Sequence, residues 1–497
     1  MIRIPALTTL LAASLLATGC ERRPDDVPVI ASIIGDEAAL ANPNARWLEP
    51  AERALLGATA QGLVRFDAAG GIEPGIAERW IVIDDGRSYI FRIGAARWPD
   101  GTQVSAQDVV TALKRVTAAG SRNALAPYLT AIDQIVVMTP QVIEIRLSAP
   151  RPDLLSTLAQ PELAIFQARG LAGSGPFRII EDDGSSVLLR PDRDPQAIAD
   201  ESIEPPTPAE HVRLRGERAS LAVARFVERQ SDLVLGGGFD DWLIVRAADI
   251  PTAAVRVDPA SGLFGLAIVS RDGFLAEPVN RAAIAGIFDR SRFTTALRPD
   301  WAAAETLLPD QLDSAAAPAV PEWATLDLAT RRLAGRARVS IWRAQSNDPA
   351  ALRVALPDGP GSDVLWAFLA NGFASVGLPV SRVPLDADAD LRLVDRVAPY
   401  DSGRWYLAMA CNPCSAEAQA AVDAARTAPT LPDRRAAIAA ADIAVAADTP
   451  FIPIARPLRW SLAVQRLQRF QTNTRGWHPL NHLRGDPNQA SWSNPRP

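Results

Sequence analysis

The chain has 497 residues, 48% hydrophobic and 22% charged, with a formal charge of −6; this composition excludes a disordered or membrane-embedded protein. All but one of its 51 basic residues are arginine, Lys114 being the exception, and they are interspersed with 57 acids, so with no basic block nucleic acid is excluded as a partner. The length exceeds what one hydrophobic core supports, and two or three domains are expected.

Arg3 precedes an apolar run from Ile4 to Ala17, interrupted by Pro5, Thr8, Thr9 and Ser14, that ends in Ala17-Thr18-Gly19-Cys20. The run is too short to span a bilayer comfortably, and its basic start and small-residue end read as a secretory signal. The residues before Cys20 resemble the lipobox of bacterial lipoproteins. That implies a lipoprotein signal peptide over 1–19, Cys20 as the lipid-bearing first residue, and a charged, proline-containing tether over 20–28. The alternative is an ordinary signal peptide with Cys20 discarded.

Val29 to Ile34 predicts a first strand, and Ala41 to Trp47 a loop. Leu63 to Phe66 is a short apolar run stopped by Asp67, Gly70 and Gly71. Ile81 to Ile83 meets a turn at Asp84-Asp85-Gly86, after which Tyr89, Phe91 and Ile93 alternate with Ile90 and Arg92, as a strand with one buried face requires. After a turn at Pro99-Asp100-Gly101, Ser105 and Asp108 form an S-x-x-D start signal for a helix carrying Val109, Val110, Leu113 and Val116 at helical spacing.

Between Gly62 and Val110 the words GLVRFD, PGIAERW, DDGRSYIFRI and RWPDGTQVSAQDVV follow one another in that order. Their succession closely resembles the N-terminal signature of the extracellular solute-binding proteins of peptide-type (family 5) ABC transporters, and several motifs in fixed order are far more specific than a lone one. The resemblance implies an α/β fold, the two-lobed periplasmic binding protein of type II in its large peptide-binding subclass, with an extra small α+β domain and a hinged ligand cleft. On that pattern lobe I is 29–50 plus 172–265 plus 455–497, the small domain 51–171, and lobe II 266–454. The implied function is the substrate-binding component of an ABC importer, a monomer that delivers a peptide or similar small solute to a membrane permease and its ATPase subunits, without enzymatic activity or cofactor.

Further along, Ile132 to Met138 and Val142 to Leu147 predict a hairpin. Gly173-Ser174-Gly175-Pro176-Phe177 matches the family's element at the exit from the small domain; Pro176 stands where a hydrolase elbow needs glycine. His211 to Arg215 predicts a strand and Ser220 to Glu228 a helix, and Gly236-Gly237-Gly238 a tight turn near the cleft, since the P-loop Lys and Ser/Thr are missing. Leu263 to Val269 predicts a strand crossing between lobes, Pro278 to Leu297 a helix, Pro299 to Pro321 a surface loop, and Val339 to Trp342 the start of a second α/β section. Asp363 to Val376, Ala416 to Thr427 and Pro432 to Ala447 predict helices. Pro379 to Pro384, Ala389 to Val394, Phe451 to Ala455 and Trp460 to Val464 predict strands. Chain crossings near 263–270 and 450–460 would form the hinge.

Cys411 and Cys414 read as a small disulfide in an exported chain; a redox C-x-x-C and a zinc site are the alternatives, and the second Cys pair that zinc would need is missing. His478 and His482 have i, i+4 spacing, but Pro479 disfavours the helix that would align them, so a surface loop is expected and no metal site. A peptide receptor needs an acid for the ligand ammonium and an arginine for its carboxylate. The family's peptide binders carry an acidic Asp-Tyr-type motif before the late helices, where this chain has Pro399 to Trp405 instead. Asp401 is the candidate amine partner, Arg404 and Trp405 candidates for the cleft wall, Asn44 and Trp47 for its rim, and Phe264 for the crossing strand. The competing readings are a secreted hydrolase, a C-x-x-C oxidoreductase, and a receptor for nickel chelates, opines or oligosaccharides on the same scaffold.

Overall fold

A computed structural model describes residues 26–310, 312–346 and 349–484. The leader, Cys20 and most of the tether lie outside the described residues. The strand Val29–Ile34 is apolar on both faces and is buried at the middle of a seven-stranded sheet. Parallel neighbours flank it, Val212–Glu217 on one side and Leu233–Gly237 on the other. The helices Pro50–Thr59 and Ala219–Val227 pack on it, which explains the near-continuous hydrophobic run. Its one polar residue, Ser32, donates to Glu217 at 2.5 Å.

The Gly62 to Arg115 stretch forms about half of a small unit with its own core. The strands Ala77–Ile83, Ser88–Ile93, Val142–Leu147 and Ile132–Thr139 make its four-stranded antiparallel sheet. Tyr89, Phe91 and Ile93 are buried as their alternation requires. The helix Ala106–Val116 covers that face with Val109, Val110, Leu113 and Val116. Its start is a reciprocal cap: the Ser105 hydroxyl accepts from the Asp108 N–H at 3.2 Å, and the Asp108 carboxylate accepts from the Ser105 N–H at 2.9 Å. Gly175, where the chain leaves this domain, lies so close to the first helix that a Cβ would stand 2.3 Å from the Thr59 carbonyl carbon.

The second large sheet has the order Val380–Pro384, Leu352–Leu356, Leu391–Val397, Gly262–Ile268, Phe451–Ala455. Its two antiparallel edge-side strands continue into the first sheet, as Val255–Asp258 and Arg459–Ala463. The lobes are therefore joined at 259–261 and 456–458. The strand Gly262–Ile268 pairs only within the second sheet, so we place the first crossing before it rather than within 263–270.

Several expectations are corrected. Residues 278–297 form two helices, Pro278–Gly286 and Arg290–Leu297, because Asp289 accepts from the Arg292 N–H at 3.1 Å and caps a new start. Val339 to Trp342 lies inside the helix Leu328–Ser346. Gly237 ends a strand under the Trp460 ring, where a Cβ would come within 2.1 Å of the indole. His478 is buried, not on a surface loop, with Nε2 3.1 Å from Asp258 Oδ2, while His482 meets Glu73 at 2.8 Å; the two imidazoles serve different carboxylates.

Candidate functional site

The small domain and lobe I both close onto lobe II along one seam. Across it, the Arg396 guanidinium of the strand Leu391–Val397 stacks 4.3 Å from the centre of the Trp47 ring, a cation–π contact. The Gln160 amide donates to the Pro399 carbonyl at 2.9 Å, and Tyr128 reaches Met409 at 3.4 Å. Near the hinge, the Gly361 N–H donates to the Asp240 carbonyl at 3.0 Å and the Ser362 hydroxyl donates to the Asp240 carboxylate. Part of Arg396 meets solvent, yet both lobes surround it, and that burial lowers its pKa against the opposing Asp395 charge. Burial likewise raises Tyr128 and pushes Asp240 up to about 6.

Pro399 to Trp405 leads into a helix, Gly403–Ala410. Its cap, Ser402, accepts from the Arg404 N–H at 3.3 Å and donates to Asp313 at 2.9 Å, and Asp313 also accepts from the Gly403 N–H at 2.8 Å. This turn directs Arg404 and Trp405 inward, where both are buried. Arg404 has a guanidinium nitrogen without a hydrogen-bond partner. Trp405 stacks edge-on against Tyr406, with centroids 5.0 Å apart.

The other sequence candidates separate. Trp47 is 50% exposed at the seam. Asn44 is spent on structure: its side-chain oxygen accepts from the Asn123 amide at 2.9 Å and its carbonyl from the Arg122 N–H at 2.8 Å. Phe264 is fully buried among Phe239, Phe293 and Trp301, with centroid distances of 4.8, 6.2 and 5.2 Å; it packs the core behind the hinge. Asp401 is exposed and ion-paired with Arg475 of the C-terminal segment. Residues with no signal in the sequence stand beside Arg404 and Trp405: Tyr128, Tyr400, Arg151 and Arg396. Tyr128 and Tyr400 meet edge-to-face at 5.9 Å. Tertiary packing alone brings them there.

The sequence profile of the bacterial extracellular solute-binding proteins, family 5, matches residues 71–335, more than half of the chain. The chain belongs to this family. The Escherichia coli murein tripeptide binding protein MppA superposes with a TM-score of 0.77 at 18% identity, covering 92% of this chain and 98% of that one. Haemophilus influenzae OppA, in complex with the peptide RPPGFSPFR, gives 0.75 at 16% identity over 92% and 98%. Campylobacter jejuni NikZ, in complex with Ni(L-His), gives 0.71 at 16% identity over 91% and 96%. A curated relative, the probable deoxycholate-binding periplasmic protein YgiS of Escherichia coli, is 36% identical over 70 residues, 14% of this chain and 13% of its own length. The two-lobed fold of this family-5 solute-binding protein is thus shared with receptors whose ligands differ widely in chemistry.

In this solute-binding protein the seam offers aromatic faces from Trp47, Tyr128 and Trp405, and cationic donors from Arg396 and Arg404. Such an arrangement can orient a ligand and recognise its charge. Among the described residues no group of three or more His, Cys, Asp or Glu is placed to hold a metal ion, and no helix is long and apolar enough to cross a membrane.

Proposed function

We propose that the protein is the substrate-binding component of an ABC importer, capturing a small solute between its two lobes outside the cytoplasmic membrane and handing it to a permease. The observation that carries this reading is the seam itself: an arginine and a tryptophan, Arg404 and Trp405, are delivered by one capped helix to a junction lined from all three domains. Closure about the paired crossings would exchange strain in the hinge for contacts with ligand made only when the lobes meet. Trp47, Arg404 and Trp405 are the proposed ligand contacts, joined by Tyr128 and Arg396. Asn44, Phe264 and Asp401, each engaged elsewhere, act as supports.

The leader supports export and attachment through a lipid on Cys20, and the Cys411–Cys414 disulfide is supported by a Cα separation of 4.8 Å. Arg271 steadies that loop by donating to the Pro413 carbonyl at 3.0 Å. Native mass spectrometry of protein purified from the periplasm, followed by thermal-shift screening of whatever co-purifies, tests the receptor role, because a ligand bound only to the folded state raises the midpoint. Failure to retain or bind any small solute would refute it. Release of a Cys20→Ala variant from the membrane fraction is the expected result for the anchor, and unchanged retention would refute that part.

A further inference from the structure

We propose that the cleft takes an organic acid lacking an ammonium group, its carboxylate seated between Arg404, Arg151 and the Tyr400 hydroxyl. This deepens the solute-receptor reading and rests on it. Arg404 is 7% exposed, has an enclosed nitrogen without a partner, and pairs with no carboxylate among the described residues. Arg151 is 5% exposed; two of its nitrogens donate to the neutral carbonyls of Pro150 and Arg426, at 2.8 and 2.6 Å, and its Nε has no partner. The third arginine nearby, Arg434, takes both available acids, Asp153 at 2.9 Å and Asp313 at 3.1 Å. Three cations therefore share two anions. The Tyr400 residue is 1% exposed and its hydroxyl is also without a partner. Arg151 and Arg434 donate to the same Pro150 carbonyl, at 2.8 and 3.4 Å, and Arg434 also donates at 2.9 Å to the hydroxyl of Ser402, which lies between Tyr400 and Arg404, so the unused donors belong to one neighbourhood, in which their charges also act on one another. Buried charge without a counter-charge is strongly unfavourable, and the missing group is a single oxyanion. A planar carboxylate matches guanidinium donors.

None of the acids of the same region faces Arg404 and Arg151 as a free carboxylate. Asp401 is held by Arg475, Asp395 by Arg459 at 2.9 Å, and Asp240 by Ser362 at the start of the helix Pro360–Ser375. Glu49, beside Arg396, caps the helix Pro50–Thr59. A ligand ammonium would meet arginines in place of a free carboxylate, while Tyr128, Trp405 and Trp47 give the ligand body aromatic faces.

The test uses full-length protein stripped of co-purified solute by unfolding and refolding. Thermal midpoints are recorded against straight-chain monocarboxylates of increasing length and against the primary amines and primary amides of the same chains. Midpoints that rise with the acids but not with the amines or amides are expected. Arg404→Met should weaken the acid response roughly tenfold to a hundredfold in apparent affinity while raising the ligand-free midpoint, because it removes the unpaired cation. Equal responses to amides or amines, no response to any acid, or a lowered ligand-free midpoint in Arg404→Met would overturn the proposal. A non-acidic solute retained by the periplasm-purified protein would overturn it too, yet leave the receptor reading standing.

Discussion

Asp442→Asn should stabilise the protein at neutral pH and do little in acid. Asp442 sits on the buried side of the helix Leu431–Asp448, 2% exposed. One carboxylate oxygen accepts from the Ala319 N–H at 2.7 Å; among the described residues the other has no partner and no cation pairs with it. Burial outweighs that single hydrogen bond and pushes its pKa from 3.8 up to about 6. A carboxyl raised in the folded state favours folding in acid, and that contribution is lost as pH rises through about 6. At about 1.4 kcal/mol per pKa unit, the ionised form costs on the order of 3 kcal/mol at pH 7.5. Asparagine keeps an oxygen for the Ala319 N–H and carries no charge. Urea midpoints of wild type and variant, compared at about pH 7.5 and about pH 4, should therefore differ by up to roughly 3 kcal/mol at the higher pH and converge at the lower. Asp442→Ala, which leaves the Ala319 N–H unpaired, should gain less. Equal stabilities at pH 7.5, or a difference independent of pH, would refute the account.

The opposite sign holds for Asp448. Its burial is overcome by Arg271 at 2.5 Å, the Ser415 N–H at 2.9 Å and Arg281 at 2.7 Å, so its pKa is lowered; its contribution is present at neutral pH and lost below the ordinary carboxylate range. Asp448→Asn strands the buried Arg281 and should cost about 3 to 5 kcal/mol at pH 7 by urea denaturation; a loss under about 1 kcal/mol contradicts the reasoning. Gly237→Ala drives a methyl into the Trp460 ring and should destabilise by about 1 to 3 kcal/mol with altered tryptophan fluorescence, an unchanged spectrum and midpoint counting against it. Alkylation before and after reduction should show Cys411 and Cys414 unreactive until reduced, and Cys411→Ser with Cys414→Ser should lower the thermal midpoint only slightly, because the closed loop is short.

Features decided within a few residues were legible from order and spacing alone. The Ser105–Asp108 cap, the alternation through Tyr89, Phe91 and Ile93, the hairpin after Ile132 and the first strand all form where their residue types direct them, since turn preference, capping and side-chain periodicity act locally. The ordered motifs between Gly62 and Val110 sufficed for the family. Helix Gly403–Ala410 was missed because its start depends on Asp313, far away in the chain, which satisfies the Ser402 and Gly403 donors. His478 was misplaced for the same reason: its partner, Asp258, is remote in sequence.

Of the candidate site, Trp47, Arg404 and Trp405 were legible through the family resemblance, whereas Tyr128, Arg396 and the pairing of the charges were not. Composition counts 51 basic residues against 57 acids and is silent on which arginine lacks a partner. Packing decides that Arg434 claims Asp153 and Asp313, that Arg475 claims Asp401, and that Arg404 beside Arg151 claims none. The sequence alone determined the scaffold, because secondary structure and family motifs are short-range. Tertiary structure decided the charge left for a ligand, because pairing and desolvation depend on neighbours that meet only after the domains fold.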